Sequence, residues 1–148
     1  FSTIGQMPDK IVKRCVTTGQ AAPQSKNEIV RCSLEGLALK YREVLENLRR
    51  KTGKSLEQLF IVGGGTQNEL LNQMTADSTG CEVMAGPIEA TGVGNVVMQM
   101  VASGELNSLT EGREVIANSF EPKRYEPKQT FEWNEAYERM LRIKADPN

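Results

Sequence analysis

Three consecutive glycines, Gly63-Gly64-Gly65, separate the apolar run Leu59-Phe60-Ile61-Val62 from a stretch with helical spacing, Asn68 to Asp77. Glycine loses more backbone freedom on folding than any other residue, so a run of it weakens a strand or a helix. The chain is therefore expected to turn here, from a buried strand into a helix. Such a turn, at the carboxyl end of a strand, is where α/β proteins bind ligands. Glycines let a phosphate or an aromatic ring lie against the backbone, and a helix start near Asn68 offers amide groups and a positive dipole end. The Asn68 amide both donates and accepts hydrogen bonds, which suits an adenine edge. No lysine follows the glycines, so this is not a P-loop, and the spacing is not G-x-G-x-x-G either. The residues alone fit two readings, a nucleotide contact and a tight structural turn.

The flanking pattern places this turn in a larger order. Met7-Pro8-Asp9 reads as a helix start, with Pro8 in the first turn and Gly19 as a stop. Ser25 and Glu28 form a capping-box signature. Behind them, Val30, Leu34, Leu37, Tyr41, Val44, Leu45 and Leu48 recur at steps of three and four, which predicts a long helix with one buried face, ended by Gly53. Glu82 to Ala85 reads as a second short strand, broken by Gly86-Pro87. Residues 89–102 predict a helix rich in small side chains. Residues 103–130 read as mostly irregular, with Pro122 and Pro127 in an extended surface segment. A last amphipathic helix is expected from Phe131 to Lys144, with Trp133, Tyr137, Met140 and Leu141 as contacts. Strands alternating with helices argue for α/β layers and a parallel sheet. Two strands make a poor sheet on their own, so the pattern reads as the second half of a larger fold.

Composition narrows the function. The 148 residues are 39% hydrophobic and 25% charged with a formal net charge of -1, which is globular and offers no basic excess for nucleic acid or an anionic membrane. No apolar run approaches the ~20 residues of a membrane span, and no signal peptide is read. The chain opens on Phe1, which fits processing or a piece of something longer. Histidine is absent, which removes Ser-His-Asp and Cys-His nucleophiles and histidine metal sites. The cysteines Cys15, Cys32 and Cys81 make no C-x-x-C pair and fit a reducing compartment. Cys15 and Cys32 flank the first helix-helix connection and are able to face each other, as two buried thiols or as a disulfide. Near the strand ends the carboxylates are Glu69, Asp77 and Glu89. Asp77 sits where a helix-capping or paired carboxylate is expected, and Glu89 where a carboxylate suits a helix dipole; neither is assigned as a catalytic base.

"VGGGTQNELLNQMTADSTG" followed by "VMAGPIEATGVGNVVMQM" resembles the carboxyl-terminal part of rhamnulokinases, members of the FGGY carbohydrate kinase family. The upstream "SLEGLALKYREVLENL" resembles the long helix before the glycine motif in that family, and the resemblance runs from about Met7 to Phe120. It implies an α/β, partial ribonuclease H-like (actin-like ATPase) fold: the carboxyl-terminal half of the second domain of an FGGY sugar kinase. Residues 1–120 would belong to that nucleotide-binding domain, and 121–148 would be an extended segment and terminal helix. Gly63, Gly64 and Gly65 would lie against the phosphates and ribose of ATP or ADP, and Asn68 would face the adenine. The implied reaction of the whole enzyme is transfer of the γ-phosphate of magnesium ATP to the 1-hydroxyl of L-rhamnulose, in the cytoplasm. The family's catalytic aspartate and sugar-binding residues have no counterpart here, so the chain is expected to be inactive alone and to meet the sugar through a missing first half. Another FGGY sugar kinase and a stand-alone nucleotide-binding or regulatory module are the alternatives. The resemblance also implies an open sheet edge at Leu59 to Val62. It leaves the oligomeric state unassigned.

Overall fold

The structure, a computed structural model, describes residues 6–145. Its elements run α1 (Met7–Thr17), α2 (Lys26–Thr52), β1 (Gln58–Ile61), α3 (Glu69–Thr79), β2 (Glu82–Ala85), α4 (Ala90–Ser103), α5 (Leu109–Ser119), β3 (Lys123–Tyr125) and α6 (Thr130–Ala145). β1 pairs in parallel with β2, Leu59 opposite Val83 and Ile61 opposite Ala85. β3 closes the other side of β2 antiparallel, with Met84 opposite Arg124. The sheet order is β1-β2-β3, so β1 is an edge strand among the described residues, as the sequence led one to expect.

The helix boundaries follow the local chemistry. Ser25 Oγ accepts from the Glu28 amide at 3.2 Å, and Glu28 Oε2 reaches back to the Gln24 amide at 2.7 Å. Gly53, Gly80 and Gly104 take φ of 66°, 68° and 80°. That left-handed turn is cheap for glycine and ends α2, α3 and α4.

The expected buried face of α2 needs correction. Leu45 is buried and Leu34 half-buried, but Val30, Leu37, Tyr41, Val44 and Leu48 stand between 42% and 58% exposed. α3 and α6 instead pack on the stripe that carries Ala38. This small residue admits Leu71, Met74 and Trp133 into one cluster, and the backbone there comes close enough for Ser78 Oγ to donate to Ala38 O at 3.1 Å. α2 carries more apolar residues than one neighbour covers, and spacing alone does not say which face is met. β1 is corrected in the same sense: Leu59 and Ile61 pack toward Ala76, Val83, Ala85 and Tyr125, while Phe60 on the opposite face is 69% exposed. A strand alternating in this way is buried on one face only.

The stretch expected to be irregular holds α5 and β3. Ser108 Oγ accepts from the Glu111 amide at 3.2 Å and Glu111 Oε2 accepts from the Asn107 amide at 2.7 Å. That is the same capping logic as at α2, unread in the sequence because no long apolar run follows it. Gly112 packs directly on α4: a Cβ there would lie 2.4 Å from Val97 Cγ1.

The carboxyl-terminal residues fold back on the core. Trp133 and Tyr137 of α6 are buried. Arg42 of α2 lays its guanidinium over the Tyr137 ring, 4.4 Å from the centroid, and Nη1 donates to Trp133 O at 3.4 Å. Glu43 bridges the same two helices, accepting from Lys144 and from Lys40. Those hydrogen bonds, Lys144 first and Lys40 second, hold its carboxyl below the usual carboxylate range. A depressed folded pKa stabilises above the unfolded value and is lost as pH falls through the folded one. The single tryptophan therefore reports an acid transition: Trp133 fluorescence should change as pH falls below about 4.3. In Glu43→Gln this step should be missing, at a neutral-pH cost under about 1 kcal/mol because the pair is near the surface. Gly112→Ala should cost about 1–3 kcal/mol in urea unfolding by overpacking Val97, and Val97→Ala in that background should return part of it.

Candidate functional site

The glycine turn is built by the parallel pair that precedes and follows it. After β1 the chain enters a single 3-10 turn over Gly63–Gln67 and then α3. The Gly63 amide donates to Pro87 O at 3.0 Å and the Gly86 amide to Ile61 O at 2.8 Å. The carboxyl ends of β1 and β2 are thereby tied to each other.

Of the three glycines, Gly63 is the one the backbone requires: it takes φ +80°, a left-handed conformation that strains any side chain. At Gly65 a Cβ would make an ordinary contact with Ile61 Cγ2, at 3.6 Å. At Gly64 φ is not positive, and nothing lies within 4 Å of where a Cβ would be, as at several other glycines. The space over Gly64 is open.

Asn68 begins α3 as its N-cap. Its Oδ1 accepts from the Leu71 amide at 3.0 Å and its backbone oxygen accepts from Asn72 N at 3.0 Å. The side-chain oxygen is thus engaged by the helix, and the amide nitrogen is the part left for an outside partner. Thr66 Oγ1 donates to Gly63 O at 2.8 Å, fastening the turn from within.

Asn72 is a residue that sequence reasoning missed. It is fully buried, and its Nδ2 donates to Thr66 O at 3.0 Å, bracing the glycine turn from below. Its Oδ1 is buried with no hydrogen-bond partner in the chain, a costly condition for an amide oxygen. The available signal was an asparagine on the apolar side of α3, beside Leu71.

Two of the nearby carboxylates, Asp77 and Glu69, have partners within the fold. Asp77 Oδ1 accepts from Gln73 Nε2 at 2.9 Å and from the Lys128 amide at 2.7 Å, the structural pairing expected for it. Glu69 pairs with Lys123 at 2.6 Å, and Glu89 is exposed just before α4. Among the described residues, no group of three or more acidic or cysteine side chains converges on a common point.

Fold and turn together define an α/β segment: parallel strands, a glycine turn at their carboxyl ends, and a helix start beside it. Residues 7–103 match the FGGY family of carbohydrate kinases, C-terminal domain, and the chain belongs to that family. It is 44% identical over 137 residues to a rhamnulokinase of Bacteroides thetaiotaomicron, covering 93% of this chain and 28% of that protein. It is 42% identical over 125 residues to a rhamnulokinase of Bacillus subtilis, covering 82% and 26%. A rhamnulokinase of Halalkalibacterium halodurans is likewise 42% identical, over 119 residues, 80% of this chain and 26% of that protein. The chain thus spans between 26% and 28% of the length of these curated relatives.

The roles of the glycines separate by stability alone. Gly63→Ala should cost about 1–2 kcal/mol because alanine is forced left-handed. Gly64→Ala should leave the midpoint of denaturant unfolding within about 0.5 kcal/mol. Equal losses in both would mean that Gly64 is also needed by the fold.

Proposed function

We propose that this chain is the carboxyl-terminal part of an ATP-dependent sugar kinase whose substrate is L-rhamnulose, and that it supplies one side of the nucleotide site. The observation that carries the reading is Gly64, a bare backbone position with open space over it, in a chain 44% identical to a rhamnulokinase. In this reading, residues 1–120 belong to a nucleotide-binding domain of ribonuclease H-like fold and 121–148 are its terminal segment. The open edge of β1 and the exposed apolar stripe of α2 are then surfaces that the remainder of the domain covers.

ATP or ADP would lie over Gly63, Gly64 and Gly65, with phosphates and ribose close to the backbone. The Asn68 amide nitrogen would face the adenine, since its oxygen caps α3. Phosphoryl transfer then joins the 1-hydroxyl oxygen of the sugar to the γ-phosphorus and breaks the bond to ADP, with the hydroxyl proton leaving to a base. Catalysis of this kind is mostly positioning and charge stabilisation. This chain's part is to position the nucleotide. Asp77 and Glu69 are tied into the fold, so the base and the sugar-binding groups belong to the rest of the enzyme. Magnesium would arrive on the nucleotide's phosphates, and no residue here is assigned to it. The chain alone is inactive in this reading, and the whole enzyme works in the cytoplasm.

The test is calorimetric titration of magnesium ADP, with GDP as control, into the full-length enzyme and its variants. Asn68→Ser keeps a cap acceptor for Leu71 and removes the amide, so it should weaken ADP by roughly 1–3 kcal/mol at little cost in stability. Gly64→Val should weaken it further by filling the space over the backbone. ADP affinity unchanged in both variants would overturn the site assignment. A full-length enzyme that phosphorylates other ketoses as well as L-rhamnulose would overturn the substrate.

A further inference from the structure

Asparagine is a poor residue for the inside of an enclosed helix. It favours helix less than alanine does, and a buried amide is costly unless both of its ends are hydrogen-bonded. Asn72 stands in the first turn of α3 and is fully buried. The other buried polar side chains of α3 are paired. Thr75 donates to Leu71 O, Ser78 to Ala38 O and Thr79 to Thr75 O, while Asp77 accepts from Gln73 and from the Lys128 amide. Asn72 is paired at one end only. Its Oδ1 joins Arg42 Nε and the Tyr125 hydroxyl as the buried side-chain atoms without a hydrogen-bond partner among the described residues. The oxygen is therefore a cost to the fold, and what the residue supplies lies at its nitrogen. Nδ2 donates at 3.0 Å to Thr66 O, inside the 3-10 turn Gly63–Gln67. That bond is partly buried, so water can serve the Thr66 carbonyl when the amide is removed.

We propose, on the reading that the glycine turn holds a nucleotide, that Asn72 is a positioning residue for it, kept at a cost in stability because its amide holds the turn in its binding shape. Three glycines in a row leave the backbone unusually free. The Gly63 amide is tied to Pro87 O and Thr66 Oγ1 to Gly63 O, bonds that close the turn on itself and on the strand ends. The bond from Asn72 joins the turn to α3, which α2, α6, β2 and β3 enclose. A turn ordered in advance loses less freedom when a ligand settles on it. Asn72 is fully buried, so it acts through Thr66 and does not touch the ligand. Removing its side chain works in opposite directions on fold and on binding. The orphaned oxygen is gone and a better helix former stands in α3, which favours the fold. The turn is loosened, which weakens the nucleotide.

The test compares the full-length enzyme with Asn72→Ala and with Asn72→Val, which fills more of the vacated space. Ser78→Ala serves as a control on the same helix. Thermal unfolding, calorimetric titration of magnesium ADP, and KM for ATP and for L-rhamnulose are measured. At least one Asn72 variant should unfold at or above the wild-type midpoint. Both should bind ADP roughly tenfold more weakly, the worth of about one hydrogen bond. KM for ATP should rise by a similar factor while KM for L-rhamnulose stays unchanged. Ser78→Ala loses its bond to Ala38 O, so it should unfold lower and keep its KM for ATP. Asn72 variants that lose stability and keep ADP affinity would make the residue structural and overturn the proposal. So would KM values for both substrates that rise together, or two variants that fail to fold. Gly64→Val, measured alongside, separates the two layers. Weaker ADP in Gly64→Val and unchanged ADP in the Asn72 variants overturns the positioning role alone. Unchanged ADP in all of them, Asn68→Ser included, overturns the nucleotide site and the positioning role with it.

Discussion

The packing of α3 is the constraint on which the rest of the structure depends. From Leu71 to Thr79 it is buried except at Gln73, and α2, α6, β2 and β3 all meet it. A helix so enclosed is ordinarily apolar all round, yet this one carries Asn72, Thr75, Asp77, Ser78 and Thr79 inside. All but the side-chain oxygen of Asn72 find a partner. Thr75 donates to Leu71 O at 2.7 Å and Thr79 to Thr75 O at 2.6 Å, Ser78 reaches Ala38 O on α2, and Asp77 receives the Lys128 amide. Buried polar groups left unmade cost more than made ones return, so these bonds fix how α3 sits against α2 and the terminal segment. Small hydroxyl residues also let the backbones of α2 and α3 approach, which larger apolar residues would prevent.

That placement carries through to the glycine turn. α3 starts at Asn68, so whatever fixes α3 fixes the turn ahead of it. Asn72, one turn into the buried helix, donates to Thr66 O inside the turn. From the other side, Gly63 and Gly86 tie the turn to the ends of both strands. The turn is therefore held rigid at its two ends and bare in the middle, at Gly64. A backbone positioned in advance loses less freedom on binding than one ordered by the ligand. The orphaned Asn72 oxygen belongs to the same polar bracing, and its neighbourhood with the turn is where the interior is least self-sufficient.

Much of this was legible because it is local chemistry. The glycine stop at Gly53, the Ser25–Glu28 cap and the strand Glu82 to Ala85 depend on a few adjacent residues, and each stands where the sequence put it. The parallel pairing of β1 and β2 followed from a helix between two short strands. What failed was non-local. The apolar stripe of α2 was read as buried, but burial depends on which neighbour arrives, and Ala38 rather than Leu37 or Tyr41 meets α3 and Trp133. α5 went unread although Ser108 and Glu111 repeat the cap already recognised at Ser25 and Glu28. Within the turn the sequence distinguished glycine from everything else and could not distinguish the three glycines. Only the backbone angle sets Gly63 apart from Gly64 and Gly65.

The exposed apolar surface has a consistent geometry of its own. Phe60 and Val62 stand at the free edge of the sheet, 69% and 57% exposed, and Val30, Leu37, Tyr41, Val44 and Leu48 follow one another along a helix of 27 residues. Scattered apolar residues on a surface are ordinary, whereas a row of them along one helix is what an interface presents. The relatives are between three and four times as long as the segment they share with this chain, which is 26–28% of each. The free edge of β1 and the apolar stripe of α2 are both left uncovered among the described residues. The apolar and hydroxyl side chains around α3 are covered within this chain, while apolar side chains on the outside of α2 and the edge of β1 are not. A core that is complete on one side and open on the other separates what this segment holds by itself, the glycine turn and its bracing, from what it needs a further layer to cover.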